Sequence, residues 1–343
     1  MKGKICSFGE VLLRYSPVAQ GDWIRQASMP VFVGGAELNV ATALAGWELP
    51  AAYCSVLPPN SLADDIVDYI DSKEIDSSRI SRSGKRIGCY YLPQGNDIKQ
   101  GGVIYDREYS AFSELTPTSA DWDSMLEGTV WLHLSAISPA LNEGVAQTCI
   151  ELARVATKKG ITVSIDLNHR SQLWKYGKSP LDVMPELVQY CDVVMGNIWS
   201  ANALLGTPLD ADIHARGQVS DYLDHAKSTA TNIQSLFPRC KVMANTFRFD
   251  VPPGGLRYFA SLDTAGKQYV SPELRTSSVV DRIGSGDCFM AGLIYGLYQQ
   301  HIPQDVINFA ATAAFGKLQE KGDATQQTVA DVKSHIPTSF ILP

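Results

Sequence analysis

Residues 281–293 read DRIGSGDCFMAGL, a segment in which two glycines, a serine and a carboxylate come just before an apolar run. Gly284 and Gly286 allow a tight turn that leaves backbone N–H groups free at the start of a helix. Such a helix start carries a partial positive charge and binds anions, above all phosphate. Asp287, in the first turn, is placed to accept a proton from an attacking hydroxyl group. The segment therefore predicts a phosphoryl-transfer site, with a simple helix cap at Asp287 as the alternative.

The helix that this site requires is visible in the same segment. Apolar residues recur at helical spacing from Phe289 to Leu297, which predicts a helix over about residues 285–299. The loop before it would then present its amide groups to an anion.

The segment resembles the C-terminal signature of the PfkB, or ribokinase-like, family of carbohydrate kinases, whose usual form is D-T-x-G-A-G-D-x-F-x-x-G. The residues that match are Asp281, Gly284, Gly286, Asp287, Phe289 and Gly292. Arg282 and Ser285 depart from the usual residues. The resemblance implies that Asp287 is the catalytic base and that the backbone of Gly284, Ser285 and Gly286 forms an anion hole.

A second block, VGGAELNVATALA at residues 33–45, resembles the N-terminal G-G-x-x-x-N-x-A block of the family, which lines the sugar site. Gly34 and Gly35 permit close approach of the backbone to a ligand, and the Asn39 amide offers donors and an acceptor to hydroxyl groups. Taken alone, the block also fits a glycine-containing turn before a core helix. Because both blocks occur in the family's order, the resemblance covers nearly the whole chain.

Within the family, the chain most resembles the 2-keto-3-deoxygluconate kinases. The stretches that carry this likeness are GGAELN (34–39), RIGCYYL (86–92), VIYDREYSA (103–111), HLSAISPAL (133–141) and DLNHRSQLW (166–174). By motif position, the resemblance implies a sugar pocket lined by Tyr90, Tyr105, Arg107, Ile137 and Arg170.

Two arginines in pocket motifs favour an acidic sugar over a neutral one. An arginine grips a carboxylate through two parallel hydrogen bonds, and a tyrosine gives a polyol chain a flat apolar face with a polar tip. The resemblance implies that Arg170 pairs with the substrate carboxylate and that Arg107 helps to orient the sugar. The alternatives are that Arg170 forms a structural ion pair and that Tyr90 belongs to the core of a lid.

Two stretches depart from the family pattern on the expected nucleotide side. In GNIWSANALLG (196–206), Asn197 is present, but Ser200 stands where an N-x-x-E motif has the Glu that helps to organise magnesium. KVMANTFRFDVPPGG (241–255) lacks the usual T/K-x-G-x-x-G turn and offers Asn245 and Arg248 instead. The resemblance still implies ATP and Mg²⁺ as cofactors, with Gly284 and Gly286 also contacting the nucleotide, but nucleotide preference stays open.

Apolar strand-like runs, such as residues 5–13 and 240–247, alternate along most of the chain with helical patterns, such as residues 212–236. This alternation predicts an α/β fold with a doubly wound, mostly parallel sheet. Residues 14–33 and 86–109 break this rhythm. They predict a small β-sheet lid within one domain spanning residues 1–343, and QGNDIKQGG joins two strands of a hairpin in the second stretch. Ligands are then expected at the carboxyl ends of the parallel strands.

The composition limits which binding partners and which cellular compartment are expected for the protein. A formal net charge of -7 argues against nucleic-acid binding. No apolar run approaches the ~20 residues that span a membrane, and the N-terminal stretch lacks a signal peptide's apolar region. Seven scattered cysteines without a C-x-x-C pair favour the reducing cytoplasm. Lid strand edges often pair with a second subunit, which predicts a homo-oligomer through the lid.

The predicted activity is ATP- and Mg²⁺-dependent phosphorylation of a sugar acid, with 2-keto-3-deoxygluconate converted to its 6-phosphate as the first hypothesis. A kinase of a neutral sugar of the fructose or ribose type is one alternative. A catalytically impaired sugar-binding protein is another, suggested by Ser200 and by the altered nucleotide loop.

Overall fold

Strands and helices alternate along most of the chain, as the periodicity predicts. The structure, a computed structural model, describes residues 3–18, 23, 28–94 and 102–337. The strands of this part are β1 (Lys4–Phe8), β2 (Leu12–Tyr15), β3 (Val31–Gly34), β4 (Ala51–Leu57), β5 (Asp76–Arg82), β6 (Gly88–Tyr91), β7 (Ile104–Asp106), β8 (Thr129–Ser135), β9 (Thr162–Asp166), β10 (Val193–Gly196), β11 (Val242–Val251), β12 (Gly255–Thr264), β13 (Lys267–Val270) and β14 (Leu274–Thr276). Its α-helices are α1 (Ala36–Gly46), α2 (Ser61–Asp71), α3 (Trp122–Met125), α4 (Glu143–Lys158), α5 (Pro180–Val188), α6 (Ile198–Leu205), α7 (Ile213–Arg216), α8 (Val219–Leu236), α9 (Ser285–Tyr298), α10 (Pro303–Lys317) and α11 (Val329–His335).

The larger sheet has ten strands in the order β13-β12-β11-β10-β9-β8-β1-β4-β5, with β14 paired to β12. The strands from β11 to β5 in that order are parallel to one another, and β12 is antiparallel to its neighbours. Successive residues of β1, Ile5 and Cys6, belong to two different apolar clusters, because side chains along a strand point to opposite faces. Helices therefore cover both faces, and the predicted doubly wound, mostly parallel sheet is confirmed.

The smaller sheet is the predicted lid and has the order β3-β2-β6-β7. Strands β2 and β6 are parallel, whereas β6 and β7 pair antiparallel as the hairpin pattern predicts. Most of the predicted hairpin turn, residues 95–101, lies outside the described residues. Division of residues 1–343 into one domain with an inserted lid stays a prediction.

Element boundaries differ from the sequence-based expectation at three places. The strand-like run at residues 5–13 is split between β1 and β2, which belong to different sheets. The helical stretch at 212–236 is divided by Gly217, whose φ of 67 is left-handed and ends α7. Strand β11 continues to Val251, beyond the expected end near residue 247.

The state of the cysteines and the character of the helices agree with what the composition predicts. All seven cysteines are buried and none forms a disulfide. Within the described ranges, no helix has both the length and the apolar character needed to cross a membrane.

Candidate active site

A cleft of about 730 Å³ opens between the carboxyl ends of the parallel strands and the lid. Its lining includes thirteen of the residues predicted from the sequence: Gly35, Asn39, Tyr90, Tyr105, Arg107, Ile137, Arg170, Asn197, Arg248, Gly284, Ser285, Gly286 and Asp287. The cleft thus joins residues from both sequence blocks, from the lid and from the expected nucleotide side.

Two predicted residues, Gly34 and Asn245, are not part of the cleft lining, which corrects the expectation for both. Gly34 is needed for contact with the protein itself, since a Cβ there would lie 2.4 Å from the Asp323 carboxylate. Asn245 is fully buried in β11, where it pairs with Gly196 of β10. Gly35 does line the cleft, although a Cβ on it would lie 2.3 Å from the Glu10 carbonyl oxygen.

Residues 284–287 form the predicted anion loop at the start of α9. Gly284 is the N-cap and has a left-handed backbone with φ 76, and a Cβ there would lie only 1.7 Å from the Asp323 carbonyl oxygen. Gly286 faces open space. The Ser285 hydroxyl donates to the carbonyl of Ala314, so the side chain at this departure from the family pattern is held against α10. The backbone N–H groups at the start of α9, next to the unobstructed Gly286, are therefore suited to bind an anion.

Asp287 lies in the first turn of α9 with 8% of its surface exposed. Its Oδ2 accepts a 2.7 Å hydrogen bond from Nδ2 of Asn39. Burial raises the pKa of Asp287 to about 6, although the Asn39 hydrogen bond and the positive charge of Arg170 act in the opposite direction. A carboxylate with this pKa is ionised at neutral pH and is basic enough to accept a hydroxyl proton.

The two predicted substrate arginines have different surroundings. Arg107 is buried and bound to the Glu10 carboxylate, with Nη2 at 2.6 Å and Nε at 2.7 Å. Arg170 is half-buried, and Nη1 donates to the His169 carbonyl at 3.2 Å. Within the described part of the chain, no carboxylate lies at ion-pair distance from Arg170. The structural ion pair that was the alternative for Arg170 is therefore found at Arg107.

Tyr90 lines the cleft but also belongs to the lid core. Its ring packs with Leu12 and Val103 of the lid, and its hydroxyl donates to Oδ2 of Asp323 at 3.2 Å. Asp323 in turn binds Arg14, whose Nη2 lies 2.6 Å from Oδ1. The alternative interpretation of Tyr90 as a lid-core residue is supported by these contacts.

The same arginine connects the lid to the anion loop. Nη2 of Arg14, on lid strand β2, lies 3.2 Å from Oδ2 of Asp281, the first residue of the signature. The same guanidinium binds Asp323. Asp281 also accepts hydrogen bonds from the backbone of Ile283 and Gly322. Burial raises the pKa of Asp323. This network fixes the loop relative to β2 and to the C-terminal segment.

Asn197 and Ser200 form a reciprocal cap at the start of α6. The Asn197 side chain accepts from the Ser200 backbone N–H at 2.8 Å, and the Ser200 hydroxyl accepts from the Asn197 backbone N–H at 2.9 Å. Ser200 thus fills the capping-box position at which glutamate is common. It satisfies the helix start without placing a charge in the cleft.

Strands β11 and β12 form a regular hairpin where the family usually has a glycine-containing turn. Their pairing is unbroken from Val242 with Thr264 to Val251 with Gly255. Arg248 projects from this hairpin into the cleft lining. Gly254 and Gly255, the last two residues of KVMANTFRFDVPPGG, therefore lie at the hairpin tip, and a regular strand replaces the expected nucleotide turn.

Sequence reasoning missed five charged residues of the cleft lining: Glu10, Glu37, Asp166, Arg282 and Asp323. Glu37 is buried on α1 and accepts hydrogen bonds from Ser135 and Ser138, and burial raises its pKa. Asp166 ends β9, the position at which parallel strands present ligand contacts, so this signal was available. Arg282 binds Asp250 at 2.5 Å. Among the described residues, no group of three or more metal-binding side chains is assembled.

Similarity to known proteins agrees with this geometry. The sequence matches the pfkB family carbohydrate kinase over residues 2–237 and 254–329. The gap in this match, residues 238–253, contains the connection from α8 to β11, strand β11 and the start of the turn to β12.

Solved structures and curated relatives extend the likeness over the full length. The crystal structure of a 2-dehydro-3-deoxygluconokinase from Thermotoga maritima is 30% identical, with 97% of this chain and 98% of that chain covered and a TM-score of 0.87. A 2-dehydro-3-deoxygalactonokinase from Haloferax volcanii is 28% identical over 334 residues, 97% of this chain and 96% of the relative. A putative ribokinase II from E. coli, solved with ATP and Mg²⁺, shares the fold at 16% identity and a TM-score of 0.72, over 97% of this chain and 98% of that one. The chain therefore belongs to the pfkB family of carbohydrate kinases and is a sugar kinase.

Proposed function

We propose that the protein phosphorylates a 2-keto-3-deoxy sugar acid, with ATP as donor and 2-keto-3-deoxygluconate as the first candidate substrate. The observation that carries this proposal is Arg170, a cation in the same cleft as Asp287 without a carboxylate at ion-pair distance among the described residues. An arginine with this environment is suited to bind the substrate carboxylate through two hydrogen bonds.

In the proposed reaction, the terminal hydroxyl of the sugar acid attacks the γ-phosphorus of ATP. A new bond forms between the hydroxyl oxygen and phosphorus, the bond to the β-phosphate oxygen breaks, and ADP leaves with that electron pair. Asp287 accepts the hydroxyl proton and later releases it to solvent. Asn39, hydrogen-bonded to Asp287, holds this carboxylate in one orientation.

The backbone amides of residues 284–287 bind the charge that moves with the phosphoryl group. Donors that are already oriented towards the developing charge stabilise the transition state most strongly. Arg248 is proposed to contact the nucleotide phosphates from β11, near the capped start of α6 at Asn197. Gly35, Tyr105 and Ile137 are proposed to border the sugar.

Magnesium is proposed to enter the cleft with the nucleotide. Mg²⁺ keeps several water ligands and commonly takes one or two carboxylates together with substrate phosphates, so a preassembled cluster of three protein ligands is not required. Asp166 fits this role because it is an oxygen donor in the cleft lining at the end of β9. When bound, the ion would neutralise phosphate charge.

Arg107 is assigned a different role from the one implied by its motif. Its guanidinium is bound to buried Glu10, so it shapes the pocket wall by holding that carboxylate. We therefore assign recognition of the substrate carboxylate to Arg170 alone of these two arginines.

A second candidate substrate is 2-keto-3-deoxygalactonate, which differs in configuration at one carbon. The Haloferax volcanii relative named for this sugar acid is 28% identical over nearly the whole chain. Both candidates carry the carboxylate that Arg170 would bind, so Arg170 cannot discriminate between them. A neutral-sugar kinase lacks this support, and intact Asp287 and Gly284 argue against an impaired binding protein.

The deciding experiment follows ADP release with a panel of 2-keto-3-deoxygluconate, 2-keto-3-deoxygalactonate, gluconate, fructose and ribose. We expect the highest kcat/KM with a 2-keto-3-deoxy sugar acid. Asp287→Asn should lower kcat by at least about a hundredfold while sugar binding persists. Equal or better turnover of fructose or ribose would reject the sugar-acid assignment.

Subunit pairing through the lid is a separate proposal. Val31 and Ile104 are 50% and 54% exposed, and they lie on β3 and β7, the two edge strands of the lid sheet. Exposed apolar side chains on an edge strand favour pairing with another chain. We expect the Val31→Lys, Ile104→Lys double variant to sediment as a smaller species than the wild type. An unchanged sedimentation coefficient would reject pairing through these edges.

A further inference from the structure

Lys317 is a buried lysine with no role in the reaction described so far. It is the last residue of α10 and its side chain has 0% exposure. It does not line the cleft. An ammonium group without water is costly unless protein groups replace its hydration, so a buried lysine requires an explanation.

The lysine lies directly behind the anion loop. Its Cε is 3.5 Å from the position of a Cβ on Gly284, and Nζ donates to the Glu320 carbonyl at 3.2 Å. The main chain of Gly284 lines the cleft on the other side. The loop is also anchored next to this lysine, since the backbone N–H groups of Val280 and Asp281 both donate to the Leu318 carbonyl.

The charges behind the loop are unevenly balanced. Burial lowers the pKa of Lys317, whereas the negative charges of Asp281, Glu320 and Asp323 act to raise it. Arg14 is the second cation of this group and is bound to Asp281 and Asp323. Without the lysine, three carboxylates would face one guanidinium behind a loop that must receive a polyphosphate. The resulting negative potential would oppose nucleotide binding and phosphoryl transfer.

We propose that the Lys317 ammonium is a built-in cation behind the anion loop, which offsets these carboxylates so that the loop can bind the transferring phosphoryl group. It is a positioning residue, because it acts through the main chain of Gly284 and does not touch substrate. The inference rests on the proposed kinase reaction but does not depend on which sugar is used.

A purely structural role makes a different prediction. The C-terminal end of a helix favours a positive charge, and a buried ion network can be replaced by apolar side chains without loss of stability. If the lysine only fills space, Lys317→Met should keep full activity, because methionine is unbranched, apolar and of similar length. If its charge matters, the same variant should fold and yet be a poor kinase.

The first test compares Lys317→Met with the wild type and with Thr312→Val. Thr312 is a matched control, since it is buried on the same helix and its hydroxyl has no hydrogen-bond partner. We expect Lys317→Met to retain a cooperative thermal transition, to lose at least about tenfold in kcat and to show a raised KM for ATP. Its KM for sugar should stay unchanged, and Thr312→Val should match the wild type in all three constants. A kcat and KM for ATP within about twofold of wild type for Lys317→Met would overturn the proposal.

The second test restores the charge from solution. Lys317→Ala leaves a cavity lined by the Glu320 carbonyl and near three carboxylates, which an ammonium ion can enter. We expect ammonium chloride to restore most of the kcat lost by Lys317→Ala, and tetramethylammonium chloride of equal ionic strength to restore none, because that ion is too large. Lys317→Met, whose side chain fills the space, should not respond. A folded Lys317→Ala protein that is inactive and insensitive to ammonium would contradict a role for the charge.

The outcomes separate this inference from the proposed function. Wild-type protein that consumes no ATP with any sugar of the panel contradicts the kinase proposal. Calorimetric titration of ATP into wild type and Lys317→Met then decides the inference, because the excess negative charge should still weaken ATP binding. Equal affinities would overturn it. If both lysine variants fail to fold, Lys317 serves the fold and not the reaction, and the proposal is rejected.

Discussion

The carboxylate of Asp287 and the carboxamide of Asn39 are joined by a 2.7 Å hydrogen bond, although 248 positions separate them in the chain. Two segments that resemble separate family signatures therefore meet at one proton-accepting group. The contact gives the base a fixed orientation and also affects its acidity, because the donated hydrogen bond acts against the effect of burial.

This pair predicts the acidic limb of the pH–rate profile. Burial raises the pKa of Asp287 to about 6, and the base must be ionised to accept a proton, so kcat should rise with pH through about 6. Asn39→Leu removes the donor that lowers the pKa, so its acidic limb should move to higher pH. The measurement is kcat at saturating substrates across this range. An unshifted limb in Asn39→Leu would contradict the assignment.

Asp287 also predicts a trade between activity and stability. Its pKa is raised from 3.8 to about 6 in the folded protein, so the folded state retains a proton that the unfolded state loses between these values. The free energy of unfolding therefore falls as pH rises through that window, and the loss persists above it. Asp287→Asn lacks this titration and should gain about 3 kcal/mol over wild type at about pH 8. The gain should fall to a small fraction of this near pH 4.

Thermal or chemical unfolding of the two proteins at both pH values checks this prediction. If the difference in the free energy of unfolding between Asp287→Asn and wild type were the same at both pH values, burial would not destabilise the ionised Asp287. Retained turnover in the same variant would independently contradict its role as base.

The two cleft arginines should behave in opposite ways. Arg107→Ala leaves Glu10 buried without its cation and should destabilise the fold by about 3 kcal/mol. Arg170→Ala breaks no ion pair within the described residues and should cost less than about 1 kcal/mol. Instead, it should raise KM for sugar acids at least about tenfold while leaving any turnover of neutral sugars unchanged.

Denaturant unfolding and steady-state kinetics of both variants test this contrast. Glu10→Gln combined with Arg107→Met is the matched control, because it removes both charges and should recover part of the lost stability. Equal losses on acidic and neutral sugars in Arg170→Ala would reject the carboxylate assignment.

Substitutions at Ser200 should separate its role in capping helix α6 from any effect of this position on the use of Mg²⁺. Ser200→Ala removes the acceptor for the Asn197 N–H and should lower stability by about 1 kcal/mol with little effect on the Mg²⁺ dependence of kcat. Ser200→Glu restores the usual family residue, keeps a capping-box side chain and should reduce the Mg²⁺ concentration needed for half-maximal activity. Magnesium titrations of the three proteins decide. An identical Mg²⁺ response of Ser200→Glu and wild type would show that a glutamate at this position does not improve the use of Mg²⁺.

Periodicity predicted the regular elements well because their signals are local. The helix expected at 285–299 is observed at Ser285–Tyr298, and the lid strands fall within or next to the expected stretches. The run at residues 5–13 misled because its apolar pattern continues across Gly9 and Glu10, where the chain leaves one sheet for the other. A Cβ on Gly9 would lie 2.2 Å from the Glu37 carboxylate, a contact that no local pattern reveals.

Side-chain roles in the site were harder to predict than side-chain positions. The motif placed Arg107 in the pocket, but its partner Glu10 is 97 positions away and carries no motif. Asp323 could not be recognised for the same reason, since its contacts with Arg14 span 309 positions. Asn245 was taken for a nucleotide contact because it stands where the family has its glycine-containing turn, whereas the pairing of β10 with β11 buries it in the sheet. Long-range pairs of this kind decide whether a polar residue serves the ligand or the fold.

The Arg14 contacts have a consequence for any attempt to alter the sugar preference by exchanging lids between relatives. Strand β2 carries the guanidinium, whereas its acidic partners Asp281 and Asp323 belong to the phosphate-handling end of the molecule. A transplanted lid that lacked this arginine would remove the ion-pair partner of both carboxylates beside the loop and would impair ATP use whatever sugar it admitted. Chimeras should therefore exchange the three positions as one unit.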